Sequence, residues 1–134
     1  MIRAALFAVV LGLAAAVTGC ASTETVKSAR GEGLKRTYRF GYDAVYDAAL
    51  AAVRGRKLVV SEASRESGEI LASSNASFGT LGEHVAVFVS RQGAQATLVE
   101  VVAKPVVRGT FPPDWQYLLQ SDIEAALGPR PPVR

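Results

Sequence analysis

The chain has 134 residues, with 15 lysines and arginines against 12 aspartates and glutamates and a formal net charge of +3. So even a balance, without a basic block, excludes the electrostatic footprint of a nucleic-acid-binding protein. A single cysteine and a single histidine exclude an intramolecular disulfide, a thiolate zinc cluster and any two-histidine metal site.

The first segment, Met1 to Cys20, is MIRAALFAVVLGLAAAVTGC. It carries Arg3 at its head, is uncharged and apolar from Ala4 to Val17, and closes on the small residues Thr18 and Gly19 before the only cysteine. This is the layout of a secretory leader, and its apolar run is shorter than the ~20 residues that cross a bilayer. Its last four residues, Val17-Thr18-Gly19-Cys20, resemble the lipobox of bacterial lipoproteins. The resemblance implies removal of residues 1–19, a diacylglyceryl group on the Cys20 thiol and a further fatty acyl chain, such as palmitate, on its freed amine. The thiolate is the soft nucleophile such a transfer needs. One acyl chain holds only marginally, whereas two or more anchor stably. In these lipoproteins an aspartate after the cysteine favours inner-membrane retention. Ala21 stands there, which implies the outer membrane, facing the periplasm.

Residues 20–34 are mostly polar, with glycines at 31 and 33, and are expected to form a flexible tether. A folded domain is expected over 35–128 and a disordered tail over 129–134. Lys35 to Phe40 alternates, with Tyr38 and Phe40 on one side, as a short edge strand does. Asp43 suits a helix N-cap, Ala44 to Arg54 a helix with Val45, Ala49 and Val53 on its buried stripe, and Gly55 the C′ position. Leu58 to Ser61 and Glu69 to Ser73 then form a hairpin across the polar turn Glu62 to Gly68. His84 to Ser90 turns Val85, Val87 and Val89 one way. Thr97 to Lys104 does the same with Val99, Val101 and Ala103, until Pro105 ends the pairing. Trp115, Leu118, Leu119 and Ile123 mark an amphipathic closing helix, with Gln116, Gln120 and Glu124 on its polar side.

By these registers Leu71, Phe88, Leu98 and Val102 point away from the helices. Four apolar side chains on neighbouring strands constitute a candidate docking patch, against the alternative of scattered apolar surface. Chemistry-bearing groups are scarce. His84 has no serine in a nucleophile-elbow context to serve. Asp43 and Asp47 are spaced as a helical carboxylate pair without a ligand neighbour, and Arg54, Arg56 and Lys57 suit a solvated helix end. No catalytic, cofactor-binding or metal-binding residue is therefore assigned.

The expected fold is α+β: a two-layer sandwich in which an antiparallel sheet of four to five strands carries two helices on one face, in the order (β)-α-β-β-β-β-α. The segments AVYDAALAAV, KLVVSEA, GEILASS and YLLQSDIEAAL, spanning Tyr42 to Leu127, resemble small periplasmic domains of an uncharacterised lipoprotein family. They are also similar to the helix-grip modules of outer-membrane assembly lipoproteins. The resemblance offers no active-site residues, and a likeness of fold licenses no function by itself. The lipid anchor, the compact α+β core, the missing catalytic machinery and the apolar patch together point to a lipid-anchored, non-enzymatic binding or assembly-accessory module of the envelope. Its partners would be the membrane, through Cys20, and another envelope protein. The alternative is a domain that holds a small ligand or lipid between sheet and helices. A third option is an enzyme acting on wall or lipid substrates.

Overall fold

The computed structural model describes residues 21–129. The leader, the lipobox with Cys20 and the tail beyond Pro129 lie outside the described residues. The elements are α1 (Ala21–Ser28), β1 (Leu34–Tyr38), α2 (Tyr42–Gly55), β2 (Val59–Ser64), β3 (Glu69–Ser73), β4 (Glu83–Gly93), β5 (Ala96–Pro105) and α3 (Trp115–Leu127). The strands form one antiparallel sheet in the order β1-β5-β4-β3-β2. β1 is an edge strand, as its short basic sequence predicts, and α2 carries the chain from that edge to the opposite one.

The inner face follows the period-two reading. Ile70, Val87 and Val101 are paired across β3, β4 and β5, as are Ala72, Val85 and Ala103. Against these rows pack Val45, Ala49 and Val53 from α2 and Leu119 and Ile123 from α3, all fully buried. Full burial of such a side chain contributes roughly 1.5–3 kcal/mol. Ala48, Ala49 and Ala52 are all buried, and their small size lets α2 approach closely. The edge strand is fastened to α3 by polar groups. Gln120 is fully buried and donates its amide to Leu34 O and Val99 O, 3.0 Å each, while its Oε1 lies 2.6 Å from the Tyr38 hydroxyl. Burial pushes that hydroxyl up to about 12, so it stays a donor. Gln116 accepts from Leu34 N at 2.7 Å. The sequence pattern places both glutamines on a solvated side; the edge strand fills that space instead.

The expected tether is corrected most. Ala21–Ser28 is a helix, and it packs on the outer face of the sheet. Eight residues are too few to hold a helix alone in water, so packing stabilises it. Val26 and Ala29 are buried against Leu71, Ala86, Phe88 and Val102. Lys27 pairs with Glu62 at 3.3 Å, and Arg30 lies 4.9 Å over the Phe88 ring. The exit from α1 is held by Glu100, whose Oε1 accepts from Gly31 N at 2.6 Å and Gly33 N at 2.9 Å. A Cβ on Gly33 would overlap the Val101 carbonyl, so only glycine fits there. The expected two layers are thus three, with two helices on one face and a short one on the other.

Smaller corrections concern element ends. The α2 cap is Gly41, and Asp43 sits in the first turn. β2 runs on to Ser64 across a bulge between Val60 and Glu62, so the turn begins only at Arg65. The end of α2 is a Schellman motif, with Leu58 N bonded to Val53 O and Lys57 N to Arg54 O. Its left-handed residue is Lys57, at φ 60°, rather than Gly55. The buried pair Leu58 and Val53 selects this geometry despite the strain on Lys57. Replacing Lys57 by glycine should raise stability by about 0.5–1 kcal/mol, the relieved strain less the freedom glycine gives the unfolded chain. Urea denaturation would show this as a higher midpoint at unchanged slope, and Arg56→Gly, where φ is −82°, should lower it.

Candidate functional site

The predicted outer patch exists but is occupied. Leu71, Ala86 and Val102 stand in register across three strands with Phe88 beside them, and α1 covers them, leaving Leu71 1% and Phe88 and Val102 2% exposed. Leu98, on the same strand face as Glu100 and Val102, is half-buried and stands outside this cluster. The face is a second small core, so it is corrected as a free docking surface. Val26→Asp would place a charge in it, costing about 2–4 kcal/mol. The expected readout is faster proteolysis within residues 21–33, together with binding of a hydrophobic dye, while the α2–α3 side stays folded.

The candidate titratable groups are engaged one by one. Arg65 bridges Asp43 at 3.1 Å and Asp47, and its guanidinium lies 4.7 Å over the Tyr46 ring. Arg56 makes a two-pronged pair with Asp122 at 2.6 and 2.8 Å, joining the end of α2 to α3. Arg54, Arg56 and Lys57 are exposed, as expected of a solvated helix end, and Arg56 adds this link. His84 is half-buried on β4, between Ser73 and Lys104 of the neighbouring strands. Among the described residues no three His, Cys, Asp or Glu side chains converge as a metal site would require.

The polar centre that sequence reasoning missed is Glu83, beside the histidine it weighed. Glu83 is 1% exposed. Its carboxylate accepts from the Ser74 and Thr80 hydroxyls and from Trp115 Nε1 at 3.0 Å, and its backbone N–H donates to Ser74 Oγ at 2.9 Å. A cleft of about 250 Å³ opens beside it, bordered by Arg56, Lys57, Asn75 and Pro113. Burial alone would push the Glu83 carboxyl up, but the three donors outweigh it and hold it below the usual value. A carboxylate so satisfied and so acidic is a poor general base. Its arrangement suits it to pin the β3–β4 loop and the start of α3 to the sheet. The only sequence signal was a charged residue entering a strand from a serine- and threonine-bearing loop.

The space between sheet and helices is filled by the inner core, including Val45, Ile70, Val87, Val101 and Leu119, all fully buried. A guest there would have to displace those side chains. Compared with known proteins, the chain matches no family model and no curated sequence.

Glu83 makes stability depend on pH with a definite sign. Its folded value lies below the ordinary 4.5, so the unfolded chain binds the proton first. The stabilisation is present above about 4.5 and is lost as pH falls through the lowered folded value. Glu83→Gln should cost about 1–3 kcal/mol at neutral pH and flatten this acid limb. Denaturation midpoints of the two chains measured between pH 7 and 3 would check it.

Proposed function

We propose that the chain is a bacterial envelope lipoprotein, acylated on Cys20 and held at the outer membrane facing the periplasm. It serves there as a non-enzymatic binding or assembly-accessory module. The observation that carries this reading is the sequence of charged head, apolar run and small residues ending in Val17-Thr18-Gly19-Cys20, with Ala21 after it. Two features of the folded part support it. The best-buried carboxylate, Glu83, is saturated by neutral donors in a structural role, and Asp43 and Asp47 share one arginine. The packed inner core favours a module that acts through its surface over one that encloses a guest.

Metabolic labelling with an alkyne-bearing fatty acid in a Gram-negative host tests the anchor. The native chain should be labelled and fractionate with outer membrane, and its mass should match loss of residues 1–19 plus the acyl groups. Cys20→Ala should be unlabelled, uncleaved and about 2 kDa heavier in its protein part, from the ~19 retained residues. Equal labelling of both chains would end the proposal.

A further inference from the structure

At one end of the sheet two loops, residues 74–82 and 106–114, run side by side. Ser77 and Thr80 exchange backbone hydrogen bonds at 3.0 and 3.1 Å, which sets Phe78 and Gly79 at a tight tip. The second loop is tied to the first by Phe111 N to Gly79 O at 3.0 Å and Val106 N to Gly82 O at 2.9 Å. Glu83 braces the base through Ser74 and Thr80. The loops are therefore built as one unit, yet their apolar side chains face outward. Phe78 is 106% exposed, Phe111 87%, Leu81 60%, Val106 53% and Val107 43%. These are five of the eight large hydrophobic side chains exposed among the described residues. From Ser74 to Gly82 and from Pro105 to Pro113 there is no acidic residue, and the one charge is Arg108.

Such a cluster on a monomer calls for an apolar partner. We infer that Phe78, Leu81, Val106, Val107 and Phe111 form a non-covalent foot that inserts into the surface of a phospholipid bilayer, with Arg108 meeting the headgroup phosphates. Three observations favour a bilayer over a protein. The side chains project from loop tips, and a fluid phase accepts such projections without a matching shape. Arg108 is the one charge among the apolar side chains, with the nearest acid of the second loop, Asp114, at its far end where it caps α3, and a cation there complements anionic headgroups. The inference also rests on the acylation proposed above: α1 begins at Ala21 and is packed on the sheet, so little slack separates an anchor at Cys20 from the folded domain. A domain held that close has the bilayer as its nearest apolar phase.

The test uses the mature lipidated chain in phosphatidylethanolamine–phosphatidylglycerol vesicles, a fraction of whose acyl chains are brominated near the glycerol. Phe78→Trp and Phe111→Trp are compared with Glu66→Trp, in the turn after β2, and with the native chain, whose only tryptophan is Trp115. The introduced indoles at 78 and 111 should emit at shorter wavelength and lose roughly half their intensity to brominated lipid, as groups seated at the headgroup–acyl boundary do. The indole at 66 should be unaffected. A chain that floats with the vesicles but is quenched no more at 78 and 111 than at 66 overturns the foot alone, whether those loops face water or another protein. If the chain recovered from the expressing host carries no acyl group on Cys20 and does not float, the anchor and the foot fall together.

Discussion

The central strands of this protein are apolar on both faces. Val85-Ala86-Val87-Phe88-Val89 runs without a polar break, and Val101-Val102-Ala103 does the same on β5. Such runs belong to strands covered on both sides, whereas a sheet with one wet face alternates. Two long helices cover one face, and among the described residues no further helix C-terminal to β1 is left for the other. The segment preceding β1 does so, folding into a helix only because Leu71, Phe88 and Val102 are there to receive Val26 and Ala29. The third layer is thus a consequence of strand composition, and the helix is the cheapest cover the chain has left.

This explains what could and could not be seen in the residues alone. The inward registers of β3, β4 and β5, the edge position of β1 and the span of α3 follow from period-two and helical spacing, and the structure has them. The outward residues were also rightly placed, but their partner was invisible. ASTETVKS has one large aliphatic residue and reads as polar linker. Its helicity comes from surface made by residues far away in sequence, which no local pattern encodes. Lys57 is a similar case. Propensity favours Gly55 for the helix stop, yet the fit of Leu58 against Val53 moves the left-handed residue two positions on. Glu83 and Gln120 look solvent-facing because they are polar. They are buried because their donors and acceptors find partners on other elements.

Those two residues also show how a small domain without disulfides fixes its less regular parts. With its single cysteine at position 20, the folded region has no covalent staple. Buried polar brackets occupy three junctions where packing alone would be weakest. Gln120 joins α3 to the edge strand, Glu83 joins the β3–β4 loop to α3, and Glu100 joins the end of α1 to β5. Each is satisfied by backbone or neutral side-chain partners, and no buried side-chain polar atom among the described residues is left unbonded. Hydrogen bonds of this kind add modest net stability, but leaving such a group unmet is costly, so each bracket specifies one arrangement.

The brackets bear on how an anchored domain would stand. If the chain before Ala21 is held in a lipid leaflet, a loose linker would let the domain tumble and leave every face equally available. A helix packed through Val26 and Lys27, with its exit held by Glu100, would restrict that freedom from Ala21 onward. The orientation is then set by whichever other surface the bilayer attracts. The paired loops hold five of the eight exposed large hydrophobic side chains among the described residues, with Arg108 the one charge between Ser74 and Gly82 and between Pro105 and Pro113, and Glu83 ties their base to the sheet. On the anchoring proposed above, two such contacts on one body would fix how the domain stands on the bilayer.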